Sequence, residues 1–188
     1  LTVIGLNPYF YPMSIKSSPI QVLQDATEFS SVHLKRNVRV DCYFRPEIAI
    51  SETCPILLIN DGQDLRTISF DKILSRMWEE GETAPFLAVG IHAGKDRRME
   101  YGTAGEPDYL GRGARAGSYQ DFILSELLPF IHQRYPITRE SSISFAGFSL
   151  GGLSAFDITC NHPTIFRSAG VFSGSFWWRS LDQESPLY

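Results

Sequence analysis

At 188 residues the chain is long enough for one domain with a substantial core. With 43% hydrophobic and 20% charged residues it has an ordinary globular composition. A net charge of −4 with no dense Lys/Arg block argues against nucleic acid and anionic membrane surfaces as partners. No apolar run approaches the ~20 residues of a membrane span.

Cys42, Cys54 and Cys160 are odd in number and widely spaced, with no CxxC, and read as buried thiols rather than a disulfide frame or zinc site. The four histidines, His33, His92, His132 and His162, show no metal-ligand spacing. No phosphate loop or dinucleotide fingerprint occurs, so no cofactor is expected. A start at Leu1 rather than Met leads to the expectation that the native N-terminus lies elsewhere. Localisation stays open between the cytoplasm and a secreted or periplasmic site, and so does oligomeric state.

Residues 1–19, with Pro8, Pro12 and Pro19, form an irregular lead-in, and Ile20 to Phe29 alternates weakly. Val38, Val40, Cys42 and Phe44 alternate with Arg39, Asp41 and Tyr43, which predicts a half-buried antiparallel strand. Pro55 to Ile59 is continuously apolar and closes at Asn60-Asp61-Gly62-Gln63-Asp64. Continuous hydrophobicity suits a strand covered on both faces, as in a parallel sheet.

Ser69 to Glu80 reads as a helix with Phe70, Ile73, Leu74 and Met77 on one side and Gly81 as its stop. Phe86 to Ile91 is the next buried strand. Residues 92–117 are polar and glycine-rich, either a lid or substrate-facing rim or a solvated excursion. Tyr119 to Tyr135 is a helix with an apolar face of Phe122, Ile123, Leu127, Phe130 and Ile131, which Pro129 should kink or shorten in its regular part. Phe166 to Ser173 is a last strand, followed by Gly174-Ser175-Phe176-Trp177-Trp178.

Between these lies Ser142 to Phe156, a short buried strand, a tight turn and a helix start. Gly147-Phe148-Ser149-Leu150-Gly151 fits G-x-S-x-G, the pattern of a nucleophile elbow. A serine hydroxyl reacts only where it stands clear of the backbone within reach of a base. A strained strand-to-helix turn achieves this, and it crowds the positions two before and two after, where only small residues fit. Buried strands alternating with helices define an α/β fold with a mainly parallel sheet. Ligands bind such sheets at the carboxyl ends of their strands. Asp61-Gly62-Gln63, Ser149 and Ser173 to Trp177 should therefore converge there.

With these pieces placed, the chain resembles the esterase branch of the α/β-hydrolases that includes esterase D, the enterochelin and feruloyl esterases and the mycolyltransferases. The resemblance rests on Leu57 to Gln63, Arg97 with Glu100-Tyr101, Glu126 to Ile131, Gly147 to Leu153 and Ser173 to Trp178. It implies an α/β-hydrolase-like sheet with helices on both faces, over 1–188 as a single domain. It also implies Ser149 as nucleophile, with the backbone N–H groups of Leu150 and Gln63 as oxyanion hole. Phe148 and Trp177 are candidate pocket residues. Arg97, Glu100 and Tyr101 are expected to tie the long loop to the sheet through a buried Arg–Glu pair.

In α/β-hydrolases the acid and then the histidine follow the serine. Here no histidine occurs after His162, just past the elbow helix. Asp157 lies along that helix, pointing away from the hydroxyl, and Asp182 and Glu184 sit in a polar tail. The expectation is that the acid and the histidine lie beyond residue 188, in C-terminal strands absent from this sequence, and that these 188 residues alone turn over little. The reading is a serine carboxylesterase acting on a small-molecule or glycan-linked ester or thioester. An inert binding module on the same scaffold, or an acyltransferase, remains the alternative.

Overall fold

The computed structural model describes residues 22–46 and 50–178. The lead-in at 1–19, Asp182 and Glu184 therefore lie outside the described residues. Six strands form one sheet in the order β1-β2-β4-β3-β5-β6. They are β1 (Leu23–Ser31), β2 (Arg36–Phe44), β3 (Ile56–Asn60), β4 (Leu87–Ile91), β5 (Ile143–Phe148) and β6 (Phe166–Phe172). Only β2 opposes the rest, pairing antiparallel with β1 and β4, while β4-β3-β5-β6 are parallel.

The continuous apolar runs become the inner strands β3 and β4 because they are covered on both sides. One face packs Val40, Leu58, Val89 and Phe145 under three helical segments, α3 (Ala116–Phe122), α4 (Leu128–Arg134) and α5 (Leu150–Asn161). The other packs Tyr43, Ile59 and Ala88 against α1 (Phe70–Glu79) through Leu74 and Trp78. Trp78 is the buried anchor of α1; Phe70, Ile73 and Met77 are only half-buried.

Three expectations need correction. β2 is not half-buried: Val40, Asp41, Cys42 and Tyr43 are all buried in succession, because α1 covers the side that alternation assigns to water. The helix expected over 119–135 starts earlier, at Ala116, and is broken by a π turn, Ile123–Leu127. There the Leu128 N–H reaches back to Ile123 O, and the widened turn precedes Pro129, which has no N–H to give the next turn. Of the three thiols only Cys42 is buried; Cys54 is half-buried and Cys160 exposed.

The chain passes from β3 to β4 on one side of the sheet and then returns past β3 to β5 on the other. The strand order thus reverses between β3 and β5, the switch point at whose carboxyl ends sheets of this kind bind ligands. Residues 61–64 and Ser149 sit at that switch point.

Candidate active site

Ser149 follows β5 and precedes α5 with φ 51 and ψ −119, a conformation that costs an L-residue of order 1–3 kcal/mol. The bend is over-determined on every side. Ser149 N–H donates to Phe172 O at 2.9 Å, and Leu153 N–H and Ser175 N–H donate to Ser149 O at 3.1 and 3.2 Å. Gly147 is required by close approach: a Cβ there would lie 2.5 Å from the carbonyl carbon and oxygen of Gly151. A Cβ on Gly151 would lie 2.8 Å from Asp61 Oδ2 and 3.0 Å from Asn60 Cβ. The two-before and two-after rule read from sequence is thus a packing fact, and the second glycine makes room for the end of β3.

The Ser149 side is exposed, and its Oγ lies 3.2 Å from the Oγ of the buried Ser175. Among the described residues, no acceptor takes the backbone N–H of Leu150 or that of Gln63. Leu150 opens α5, where the first turn leaves N–H groups free and adds the positive end of the helix dipole. Gln63 lies in a 3₁₀ turn, Gly62–Asp64, entered through Asp61 in the left-handed region at φ 59. Gly62 allows that turn to lie on β4, since a Cβ would fall 2.4 Å from Gly90 C.

The end of β3 is locked to the bend by polar bonds that the sequence did not reveal. Asn60, buried, donates Nδ2 to Gly151 O at 2.8 Å and accepts the Tyr119 hydroxyl on Oδ1 at 2.5 Å. Asp61 N–H donates to the Tyr101 hydroxyl oxygen at 3.3 Å. Burial pushes both phenols up, so both stay protonated. The Gln63 side chain spans two loops, taking Ala93 N–H on Oε1 at 3.0 Å and donating weakly to Asp61 Oδ1 at 3.4 Å.

The expected Arg–Glu pair forms with different partners. Arg97 grips Asp61, at 2.6 and 2.7 Å, while Glu100 takes Arg36, at 2.9 and 2.8 Å. Both arginines come from or meet the turn α2 (Arg97–Glu100), so the long segment 92–117 is tied down, as expected, but by two bridges. The segment is further pinned by Trp178, whose ring fills the space over Gly102 and Gly113 at 2.6 Å from each virtual Cβ. Trp178 Nε1 donates to Glu106 O.

Phe148 and Trp177 are both exposed, 50% and 56%. Phe148 stacks on Phe172, and Trp177 lies under the Arg112 guanidinium. The remaining candidates are not near the hydroxyl. His162 caps the far end of α5, roughly 18 Å along a helix of that length. Asp157 Oδ2 accepts Ala104 N–H at 2.8 Å. His92 pairs with Asp41 at 2.9 Å, on the β2 side of β4. Three strand spacings, roughly 14 Å, separate β2 from β5.

The fold and the bend together define an α/β-hydrolase-type protein. Residues 31–186 match the family model described as "Putative esterase", and the chain belongs to that family. It is 25% identical over 156 residues to the uncharacterized protein YbbA of Bacillus subtilis (strain 168), covering 80% of this chain and 62% of that protein. The structure is similar to the enterobactin esterase of Shigella flexneri solved in the presence of enterobactin. There the TM-score is 0.68 at 21% identity, over 83% of this chain and 38% of the other. It is also similar to the BES protein of Bacillus cereus, with TM-score 0.70 at 20% identity over 95% and 67% of the two chains. The chain therefore spans less than two thirds of YbbA and under half of the enterobactin esterase.

Proposed function

We propose that the protein is a serine carboxylesterase with Ser149 as nucleophile. One observation carries this: an exposed serine at φ 51 between β5 and α5, with the N–H groups of Leu150, next in the chain, and of Gln63, in the turn after β3, both unengaged among the described residues. In the proposed reaction Ser149 Oγ attacks an ester carbonyl as a general base takes its proton, and the base then gives that proton to the leaving alcohol. The tetrahedral oxyanion is held by Leu150 N–H and Gln63 N–H, and collapse expels the alcohol. Water then releases the acyl group by the reverse path. Family membership and the enterobactin esterase likeness support an ester substrate.

The test is hydrolysis of p-nitrophenyl acetate by the protein and by Ser149→Ala, with fluorophosphonate labelling located by peptide mass. Hydrolysis and labelling that both vanish in Ser149→Ala support the reading. Equal turnover by the two proteins removes it. An added alcohol that diverts product from acid to ester would make the protein an acyltransferase at the same serine.

A further inference from the structure

β2 runs against β4, so the turn at 32–35 that leads into β2 lies at the same edge of the sheet as the loop after β4. Between them is a hollow of about 320 Å³ whose walls carry Lys35, Arg36, Lys95 and Arg115 against a single carboxylate, Asp96. A second carboxylate, Glu100, lies fully buried beneath. The two arginines are already committed. Arg36 clasps Glu100 at both nitrogens, and Arg115 donates to Leu34 O at 2.6 Å with Asp96 at 3.5 Å. At the rim His33 lies 3.9 Å from Asp121. Lys35 and Lys95 have no carboxylate partner among the described residues.

Two positive charges are thus left uncompensated in one concavity of a chain whose net charge is −4. The fold also holds Lys35 in the left-handed region, at φ 53, where Gly or Asn would sit without cost. Like charges on facing walls repel, and low-dielectric walls focus their field. An anion between them relieves that repulsion and finds two mobile ammonium donors against a rigid floor of ion-paired arginines.

We propose that this hollow is a binding site for a small, multiply charged anion, a phosphate- or carboxylate-bearing group. The site does not depend on the esterase reading. Its occupant is either a free anion or an anionic substituent of the protein's own ester.

Inorganic pyrophosphate titrated calorimetrically into the protein is the first arm. Binding should weaken as salt is raised. It should weaken about tenfold or more in Lys35→Gln/Lys95→Gln, two charge-assisted donors being lost. Lys72→Gln, on α1, should bind like the parent. Both lysines are exposed, so the double variant should fold, which its melting curve checks. No binding by the parent, or equal binding by the double variant, overturns the proposal. The second arm compares mono-p-nitrophenyl dodecanedioate, whose extended chain spans roughly three strand spacings, with p-nitrophenyl acetate. A fall of about tenfold in their kcat/KM ratio in the double variant identifies the anion as part of the ester. A constant ratio with lost pyrophosphate binding identifies a free anion. If the parent hydrolyses neither ester and fluorophosphonate does not label Ser149, the esterase reading fails and the pyrophosphate arm still decides the site.

Discussion

Arg97 closes both arms of its guanidinium on the carboxylate of Asp61, at 2.6 and 2.7 Å, and so fixes the turn that carries Gln63 against the bend that carries Ser149. Asp61 is strained at φ 59 and nearly buried, and its Oδ2 fills the space that a side chain on Gly151 would need. A carboxylate in that position has to be paired, because removing its partner leaves a charge where water cannot reach it. The hydrogen bonds that Arg97 donates to Asp61 raise its pKa above the ordinary value despite burial, so the guanidinium stays charged.

Arg97→Ala should therefore cost about 3 kcal/mol of stability in urea unfolding, the low end for breaking a buried pair, since Arg97 is partly exposed. Arg97→Lys should recover less than half, because an ammonium cannot reproduce the two-pronged geometry. Fluorophosphonate labelling of Ser149 should slow in both variants by more than the unfolded fraction explains. Labelling at the parent rate in a folded Arg97→Ala would show that the bridge does not position the turn.

The buried Asn60 makes a second link, between α3 and the bend. Tyr119→Phe removes the hydroxyl 2.5 Å from Asn60 Oδ1 and leaves a buried amide oxygen unpaired. The expected loss is about 1–3 kcal/mol. Asn60→Ala should cost a similar amount, and the double variant less than the sum, because both act on one chain of bonds that ends on Gly151 O. Strict additivity in denaturant melts would mean the two groups are independent.

The bend itself was legible in the sequence, and the bridges were not. Gly147 and Gly151 flank Ser149 at a spacing fixed by local backbone crowding, so five consecutive residues announce the geometry. Continuous apolar runs at Ile56–Asn60 and Leu87–Ile91 likewise mark strands covered twice. Whether Arg97 meets Glu100 or Asp61 depends instead on which strands are neighbours, which no local pattern encodes. Alternation misled at Asp41 and Tyr43 for a related reason: α1 covers that face, and the aspartate is kept there by Arg39 and His92. The π turn ahead of Pro129 has no signature beyond the proline, since a kink and a widened turn both satisfy the missing N–H.

Glycine substitutions separate crowding from flexibility. Gly147→Ala places a methyl 2.5 Å from backbone atoms of Gly151 that no side-chain rotation can move. It should cost about 3 kcal/mol or more, or prevent soluble expression. Gly105→Ala lies in the same class of substitution, but its Cβ would meet nothing within 4 Å. It should change stability by less than about 0.5 kcal/mol. Thermal melts of the two proteins check this, and equal effects would remove the close-approach argument.

Two aspartates should give the protein opposite pH signatures. Asp41 is buried, which alone would raise its pKa, but the hydrogen bonds of His92 and Arg39 outweigh burial and hold it below the ordinary value. A depressed carboxyl contributes stability above its unfolded pKa, about 3.9, and loses it as pH falls through the folded value. Asp157 is raised, chiefly by burial, against the opposing bond from Ala104 N–H. Its contribution is present below about 3.9 and is lost as pH rises through the folded value. Asp41→Asn should therefore be destabilised relative to the parent at pH 7, with the gap narrowing as acid is added. Asp157→Asn keeps an oxygen for Ala104 N–H and carries no charge, so it should match or exceed the parent at pH 7 and lose that advantage in acid. Unfolding free energies of the three proteins measured from neutral pH down into acid read both trends. Parallel curves for either variant would show that its carboxyl titrates alike in the folded and unfolded chains.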